Sequence, residues 1–414
     1  MVRAMKDSGV EWIGEIPEHW EIEQLGKLYK ARSEKVSDYD YPPLSVTKMG
    51  IVPQLENAAK SDNHNDRKKV CIGDFVINSR SDRKMSSGSS NFEGSVSLIN
   101  TVLYSNCILP EFSNYLLKNS NFAEEFYRWG TGIVADLWST NYERMKRIPI
   151  PYVPLSEQRK IAAILDEKTT HIDSIVSKTK ESIEAFKAYK QALITQAVTK
   201  GLNSDVKMKD SGIEWIGEIP EHWDVVKLNQ FFKQIKEKNK DLAERNLLSL
   251  SYGKIIRKNI NTKEGLLPDN FEGYNIIEKD DIVLRMTDLQ NDHTSLRVGL
   301  SRERGIITSA YITIRQFNEI DAEYGYYFLH SFDIYKGFYG MGSGVRQGVT
   351  FDMLKKINIL FPPIAEQRQL VTFITEKTTH IDSLIANKEK MVQELEAYKK
   401  AMIYEYVTGK KEVE

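Results

Sequence analysis

Glu167-Lys168-Thr169-Thr170-His171-Ile172-Asp173-Ser174 returns without a change as Glu376 to Ser383. The octet lies inside a longer repeat. Glu157-Gln158-Arg159 matches Glu366-Gln367-Arg368, Ala188-Tyr189-Lys190 matches Ala397-Tyr398-Lys399, and Val198-Thr199 matches Val407-Thr408. The offset is 209 residues throughout, with no gap. A repeat of this length dictates architecture before local propensity does. Within it, apolar residues recur at steps of three and four. They are Ile161, Leu165, Ile172, Ile175, Ile183, Phe186, Leu193 and Ala197, then Leu370, Ile374, Ile381, Leu384, Met391, Leu395, Tyr398 and Met402. That spacing predicts one long helix per copy with a heptad seam. Pro154 and Pro363 stand at the starts, where a missing N–H is tolerated, and Glu157 and Glu366 suit the positive end of the helix dipole. Gly201 and Gly409 mark the stops. About 43 residues at 1.5 Å each make a rod of ~65 Å. One apolar stripe on such a rod needs a cover. Its own copy, running antiparallel as a coiled coil, is the expected cover; separate helical bundles are the alternative.

A second repeat opens each half. Met5 to Trp20 returns as Met208 to Trp223, with fifteen of sixteen positions identical and only Val10 changed, to Ile213. Trp12, Ile13, Ile16, Pro17 and Trp20 form an irregular apolar clasp, which packs either on its own domain or on a partner. Between clasp and helix, short β-branched and aromatic runs are broken by Gly, Asn, Ser and Asp, which predicts strands with loops. Fainter matches survive there. Leu44 to Thr47 resembles Leu248 to Ser251, Gly73 to Ile77 resembles Asp280 to Leu284, and Tyr115-Leu116-Leu117 resembles Tyr327-Phe328-Leu329. Insertions scattered through loops have left the framework in place. The expected fold is α+β: two similar globular α/β domains joined by two long helices paired antiparallel, with an approximate two-fold axis. The expected boundaries are 1–153 for the first domain, 154–201 for its helix, 202–362 for the second domain and 363–414 for its helix and tail.

With 41% hydrophobic and 28% charged residues over 414, the chain has the composition of a globular protein of two to three domains. No apolar run approaches the ~20 residues of a membrane span, and the start has no apolar signal core. Cys71 and Cys107 are the only cysteines, which excludes a disulfide framework and a cysteine-rich zinc site. A reducing cytoplasm fits. The net charge of −1 requires any nucleic-acid surface to be local.

Catalytic patterns are missing. Tyr41-Pro42-Pro43-Leu44 and Phe361-Pro362-Pro363-Ile364 lack the Asn or Asp that begins an amino-methyltransferase tetrad. No Gly-x-x-x-x-Gly-Lys-Ser/Thr loop is present to cradle a nucleotide. Gly340-Met341-Gly342-Ser343-Gly344 has no lysine and is read as a loop. His19, His222, His171 and His380 each stand alone within the repeats, without a second ligand at metal spacing, and are read as structural. Asp166-Glu167-Lys168 carries an acid-x-Lys triplet, but on the rod.

The divergent loops do carry cations. Arg67 to Lys84 holds six against two acids; Arg297 to Arg315 holds four against one. The candidates for DNA contact are Lys48, Arg80, Arg83, Lys84, Ser86 and Asn91 in the first half. In the second they are Lys254, Arg257, Arg285, Arg297, Arg302, Arg304, Arg346 and Gln347. Cations with short hydroxyl and amide donors suit phosphate anchoring and base-edge contact. For any single residue, a solvated surface charge is the competing reading.

This arrangement resembles the DNA specificity subunit of Type I restriction–modification systems. The residues that carry the likeness are Gly14 to Trp20 with Gly217 to Trp223, Pro154 to Arg159 with Pro363 to Arg368, and the two Glu-Lys-Thr-Thr-His-Ile-Asp runs. The resemblance covers the whole chain. It implies two target-recognition domains that each read half of a split, asymmetric site in double-stranded DNA, with helices that hold them apart as a ruler. It implies no catalysis and no cofactor in this chain. The implied partners are two methyltransferase subunits using S-adenosylmethionine, and two motor–nuclease subunits using ATP and magnesium. The expected docking residues are Trp12, Trp20, Trp215, Trp223, Glu157, Arg159, Glu366 and Arg368. A coiled-coil scaffold with protein-binding ends is the competing class; a stand-alone DNA-modifying enzyme is disfavoured by the missing motifs.

Overall fold

The computed structural model describes residues 3–55, 64–132, 138–260, 271–292, 296–342 and 348–413. The chain divides into two compact units. Unit 1 is Met1–Lys180 with Glu389–Glu414, and unit 2 is Glu181–Lys388. The first long helix, Leu155–Lys200, and the second, Ile364–Val407, each contribute one part to each unit.

Unit 1 begins with a hairpin, Met5–Asp7 against Glu15–Pro17. Its loop turns at Gly9 and Gly14, both at φ +69°, a conformation that costs glycine little. Trp12, Ile13, Ile16 and Trp20 are buried in the main core. The next strand, Glu21–Gln24, pairs with Pro149–Tyr152, the strand that feeds the long helix. The clasp and the helix start are thereby fastened together. A four-stranded antiparallel sheet follows, in the order Ser87–Ser89, Phe75–Asn78, Asn100–Tyr104, Lys30–Ala31. Helices Pro110–Leu116 and Ser120–Arg128 cover it, the second capped by Asn119, whose side chain accepts from Phe122 N. A hairpin, Leu44–Thr47 with Gly50–Pro53, stands on a smaller apolar cluster with Val70, Val76, Val96 and Val102.

Unit 2 repeats the plan. Met208–Asp210 pairs with Glu218–Pro220, and Asp224–Lys227 pairs with Asn358–Phe361 ahead of the second long helix. Its four-stranded sheet runs Phe232–Ile235, Ile312–Gln316, Ile282–Leu284, Val298–Leu300. Leu248–Ser251 and Lys254–Arg257 form the matching hairpin. One helix, Ala322–Ile334, stands where unit 1 has two. Each faint sequence match named above falls on corresponding elements of the two units.

The long helices pair antiparallel within each unit. In unit 1, Asp173 meets Lys399 while Lys180 meets Glu396, so one helix advances as the other falls back. Ile172, Val176, Val392, Met402 and Tyr406 are buried there in one cluster. In unit 2, Ile183 packs with Ile381 and Ile385, while Ile194 joins a cluster with Leu370 and Ile374. The pairing was expected from the repeat, and most expected seam positions are buried, but the seam shifts by one residue at three of them. Its buried positions are Leu165, Thr169, Ile172, Val176, Thr179 and Ile183, and Ile374, Thr378, Ile381, Ile385 and Val392. Val176, Ile385 and Val392 take the places expected of Ile175, Leu384 and Met391. Met391 and Tyr398 are 48% and 52% exposed. Two neighbouring apolar residues satisfy a step of three or four equally well, and the threonines in the seam carry no apolar signal.

The helix stops are as expected. Gly201 and Gly409 lie at φ +75° and +74°. Beside each glycine a lysine fastens the helix end to the clasp. Lys200 donates to the carbonyls of Ile216 and Glu218, and Lys410 to those of Ile13 and Glu15. The lysine precedes the glycine in one copy and follows it in the other, yet both ammonium groups reach equivalent carbonyls.

Candidate nucleic-acid interface

The start of each long helix assigns three jobs to Glu-Gln-Arg. Gln158 is buried. Its amide nitrogen donates to Val153 O and Cys107 O at 2.8 and 3.0 Å, and its oxygen accepts from Leu109 N at 2.8 Å. Gln367 binds Pro362 O and Asp321 N at 2.8 and 2.9 Å in the same way. These residues lock the helix to the domain that precedes it. Glu157 accepts from His19 at 2.6 Å, Arg3 at 2.6 Å and Trp20 Nε1 at 3.1 Å. Burial alone would push the Glu157 carboxyl up, but those hydrogen bonds outweigh it and hold the group below the ordinary carboxylate value. Glu366 holds His222 at 2.8 Å. Arg159 and Arg368 are exposed, and Arg368 lines an open cleft with Lys279, Arg302 and Asp321.

Several expected docking residues are therefore not at the surface. Trp12, Trp20 and Trp223 are buried core residues, the tryptophans of a clasp that closes on its own unit. Trp215 is half-buried and stacks on Tyr335, with ring centroids 5.4 Å apart. The sequence left both readings open because an amphipathic tryptophan serves a core and an interface equally well.

The cation clusters separate on the same ground. In unit 1, Arg67 is buried against Ser95, and Lys68 donates to Asn100 O at 2.7 Å. Arg80, Arg83 and Lys84 remain exposed on the loop between Phe75–Asn78 and Ser87–Ser89. Lys84 lies 3.4 Å from Glu124 and 5.6 Å from the Tyr127 ring centre. Asn91 is exposed; Ser86 is buried beside that loop. Lys48 is exposed at its hairpin tip.

In unit 2 most of the candidate arginines are engaged. Arg297 is 0% exposed, so its expected role at a DNA surface is corrected. Its guanidinium donates to the carbonyls of Arg285, Thr287, Asp288 and Asp292 and to Tyr339 Oη, organising the loop after Ile282–Leu284 from inside. Five N–H donors in a fixed fork suit such a task, and charge counting along a sequence is blind to it. Arg257 pairs with Glu303, Arg302 with Glu323, and Arg304 with Glu244 and Glu278. Arg285 lies 3.6 Å from Asp292. Lys254 is exposed beside its hairpin tip. Arg346 and Gln347 lie outside the described residues, as does the end of the glycine-rich loop.

Two exposed residues went unnoticed in the sequence. Met49 and Tyr252 occupy the tips of the matching hairpins, 89% and 78% exposed. The Ser-Tyr-Gly-Lys turn between apolar runs was the available signal.

Among the described residues, no group of His, Cys, Asp and Glu is arranged to hold a metal ion, and no helix is long and apolar enough to cross a membrane.

An internally duplicated chain whose units share one frame and differ at hairpin tips and loops has the build of a modular recognition protein. The model of the Type I restriction modification DNA specificity domain matches residues 17–185 and 220–397. The chain belongs to that family of specificity subunits. It is 26% identical to a putative type I restriction enzyme MjaX specificity subunit from Methanocaldococcus jannaschii, over 96% of this chain and 95% of that one. The MjaVIII specificity subunit of the same organism is 24% identical over 95% and 93%. Among solved structures, the fold is similar to a chain from a study of complex assembly and conformational transition in a type I R-M system. That match has a TM-score of 0.70, 13% identity and coverage of 95% and 98%. The HsdS subunit of Thermoanaerobacter tengcongensis gives a TM-score of 0.53 at 15% identity, over 96% and 98%.

Proposed function

We propose that this chain is the noncatalytic DNA-reading subunit of a cytoplasmic Type I complex, each unit reading one half of a bipartite, asymmetric site in double-stranded DNA. Residues 1–153 and 202–362 are the two reading domains. Segments 154–201 and 363–414 set the number of base pairs between half-sites. Two methyltransferase subunits dock on the repeated frame, where Arg159 and Arg368 are exposed next to the Glu157 and Glu366 clusters. S-adenosylmethionine belongs to those subunits, and ATP with magnesium to two motor–nuclease subunits.

One observation carries the reading: equivalent elements on a common frame bear unlike exposed side chains. The first hairpin tip is Lys48-Met49 and the second Tyr252-Gly253, while the buried Gln158 and Gln367 make matching hydrogen bonds. A common frame suits two copies of one partner; unlike tips suit two different base sequences. Arg80, Arg83, Lys84, Lys254 and Arg285 supply charge for phosphates.

The test is a domain exchange. Residues 24–150 are replaced by the corresponding segment of another family member, and methylated sites are mapped in cells that express the methyltransferase partner. One half of the site should change and the other stay. A change in both halves, or in neither, rejects independent reading domains.

A further inference from the structure

We propose that the two hairpin tips are specificity determinants, with the Tyr252 side chain entering the DNA groove at one half-site and that of Met49 at the other. The inference rests on the reading of the chain as a two-headed DNA-recognition subunit.

Ser251 pairs with Lys254, so Tyr252 and Gly253 alone form the loop. Their φ angles are +46° and +76°. A two-residue hairpin with both central residues at positive φ favours Asn or Gly at its first position, because a bulky side chain there is strained. A tyrosine in that place defies the local preference. Its ring packs little within the fold, being 78% exposed. Strain kept at an exposed tip points to a use outside the fold.

The tip is held firmly. Leu248 and Leu250 anchor its strands in a cluster with Ile277, Val283 and Ile307. Gly253 backs onto Leu296, where an added Cβ would lie 3.0 Å from the Leu296 Cβ. Lys254 is exposed on the following strand and Lys258 just past its end, cations near the tip that suit phosphate contact.

In unit 1 the corresponding loop is Lys48-Met49, closed by the Thr47–Gly50 pair, with neither loop residue at positive φ and Met49 at the second position rather than the first. Leu44 and Ile51 anchor it, and Met49 is the most exposed of the large apolar residues described. A thioether and a phenol at equivalent tips differ in chemistry. Met49 packs on apolar base surface such as a thymine methyl; Tyr252 offers a ring face and a hydroxyl to base edges.

The experiment uses the full chain co-expressed with its methyltransferase partner. Methylated sites of the wild-type complex are mapped first. Binding is then measured to duplexes carrying that site and every single base-pair change within both half-sites. Tyr252→Asn should lower cognate affinity about tenfold and flatten discrimination at one or two adjacent base pairs of the half-site read by unit 2. The other half-site should keep its profile. Because Asn suits the turn better, the melting temperature should hold or rise, which separates recognition from folding. Tyr252→Phe distinguishes ring from hydroxyl. Met49→Ser should act in the same way on the first half-site alone. Unchanged profiles in both tip variants, or a uniform loss at every position, would overturn the inference while leaving the two-headed reading intact. A wild-type complex that methylates no bipartite site would reject both.

Discussion

Lys190 donates to both carboxylate oxygens of Asp382, at 2.7 and 2.6 Å, and in the other unit Lys399 does the same to Asp173, at 2.7 and 2.5 Å. Each lysine lies in its seam, and each aspartate belongs to the repeated octet. The contact fixes the register of the helix pair within each unit. Both pairs are partly exposed, so their worth is modest. Lys190→Glu should cost about 0.5–1 kcal/mol, and adding Asp382→Lys should restore most of it. Urea unfolding of the two single variants and the double variant gives the coupling energy. A double variant as unstable as the sum of the singles would show that the pair does not set register.

A heptad inserted in each long helix, after Lys180 and after Glu389, preserves the seam phase. Seven residues add ~10.5 Å of helix, close to the rise of about three base pairs. The methylated site of such a variant should keep both half-sites and gain about three base pairs between them. Mapping methylation in cells would find either this longer spacer or the original one; the latter rejects the helices as the ruler.

Gln158 should contribute more stability than either ion pair, since it satisfies three buried backbone groups. Gln158→Ala leaves the Leu109 N–H and two carbonyls without partners at a buried site, which should cost roughly 2–3 kcal/mol. Thermal unfolding checks it, and Gln367→Ala should act similarly in unit 2. A loss below ~0.5 kcal/mol in both would mean that the helix starts are held by packing alone.

His330 and Asp333, three residues apart on Ala322–Ile334, oppose each other in acid. Burial, aided by Lys190, holds His330 down at about 4. The unfolded chain protonates near 6.5, so the His330 contribution to stability falls as pH drops from about 6.5 to about 4. Burial pushes Asp333 up to about 6, against the hydrogen bond from Arg297 N. Its folded form keeps a proton that the unfolded chain loses near 3.8, so stability falls as pH rises from about 3.8 to about 6. Asp333→Asn keeps an acceptor for Arg297 N and removes that loss. The variant should be more stable at pH 8 by ~2–3 kcal/mol, and its melting temperature should fall more steeply than wild type between pH 6.5 and 4. A lower melting temperature than wild type at pH 8 would reject the assignment.

The repeat made the helices, their ends and their antiparallel pairing legible, because periodicity and Gly/Pro punctuation are local properties of a chain. The family likeness was carried by those same runs. The surface was harder to read. Arg297 and Arg83 look alike in a sequence, but one fills the inside of a loop and the other stands in solvent. Arg302 and Arg304 counted toward a cationic stretch and Arg257 stood as a separate candidate, until folding brought Glu303, Glu323, Glu244 and Glu278 against them. Tyr252 was passed over because one tyrosine in a turn carries no charge signal.

Read without coordinates, the chain already shows two copies of one plan, each with a long helix needing a partner. Repeat register and heptad spacing do not depend on what lies across the fold. Folding alone selects which of two adjacent apolar residues enters the seam, closes the clasp tryptophans on their own units, and leaves some cations exposed while others meet carboxylates. Those outcomes depend on contacts between residues distant along the chain, where geometry rather than composition selects the partner.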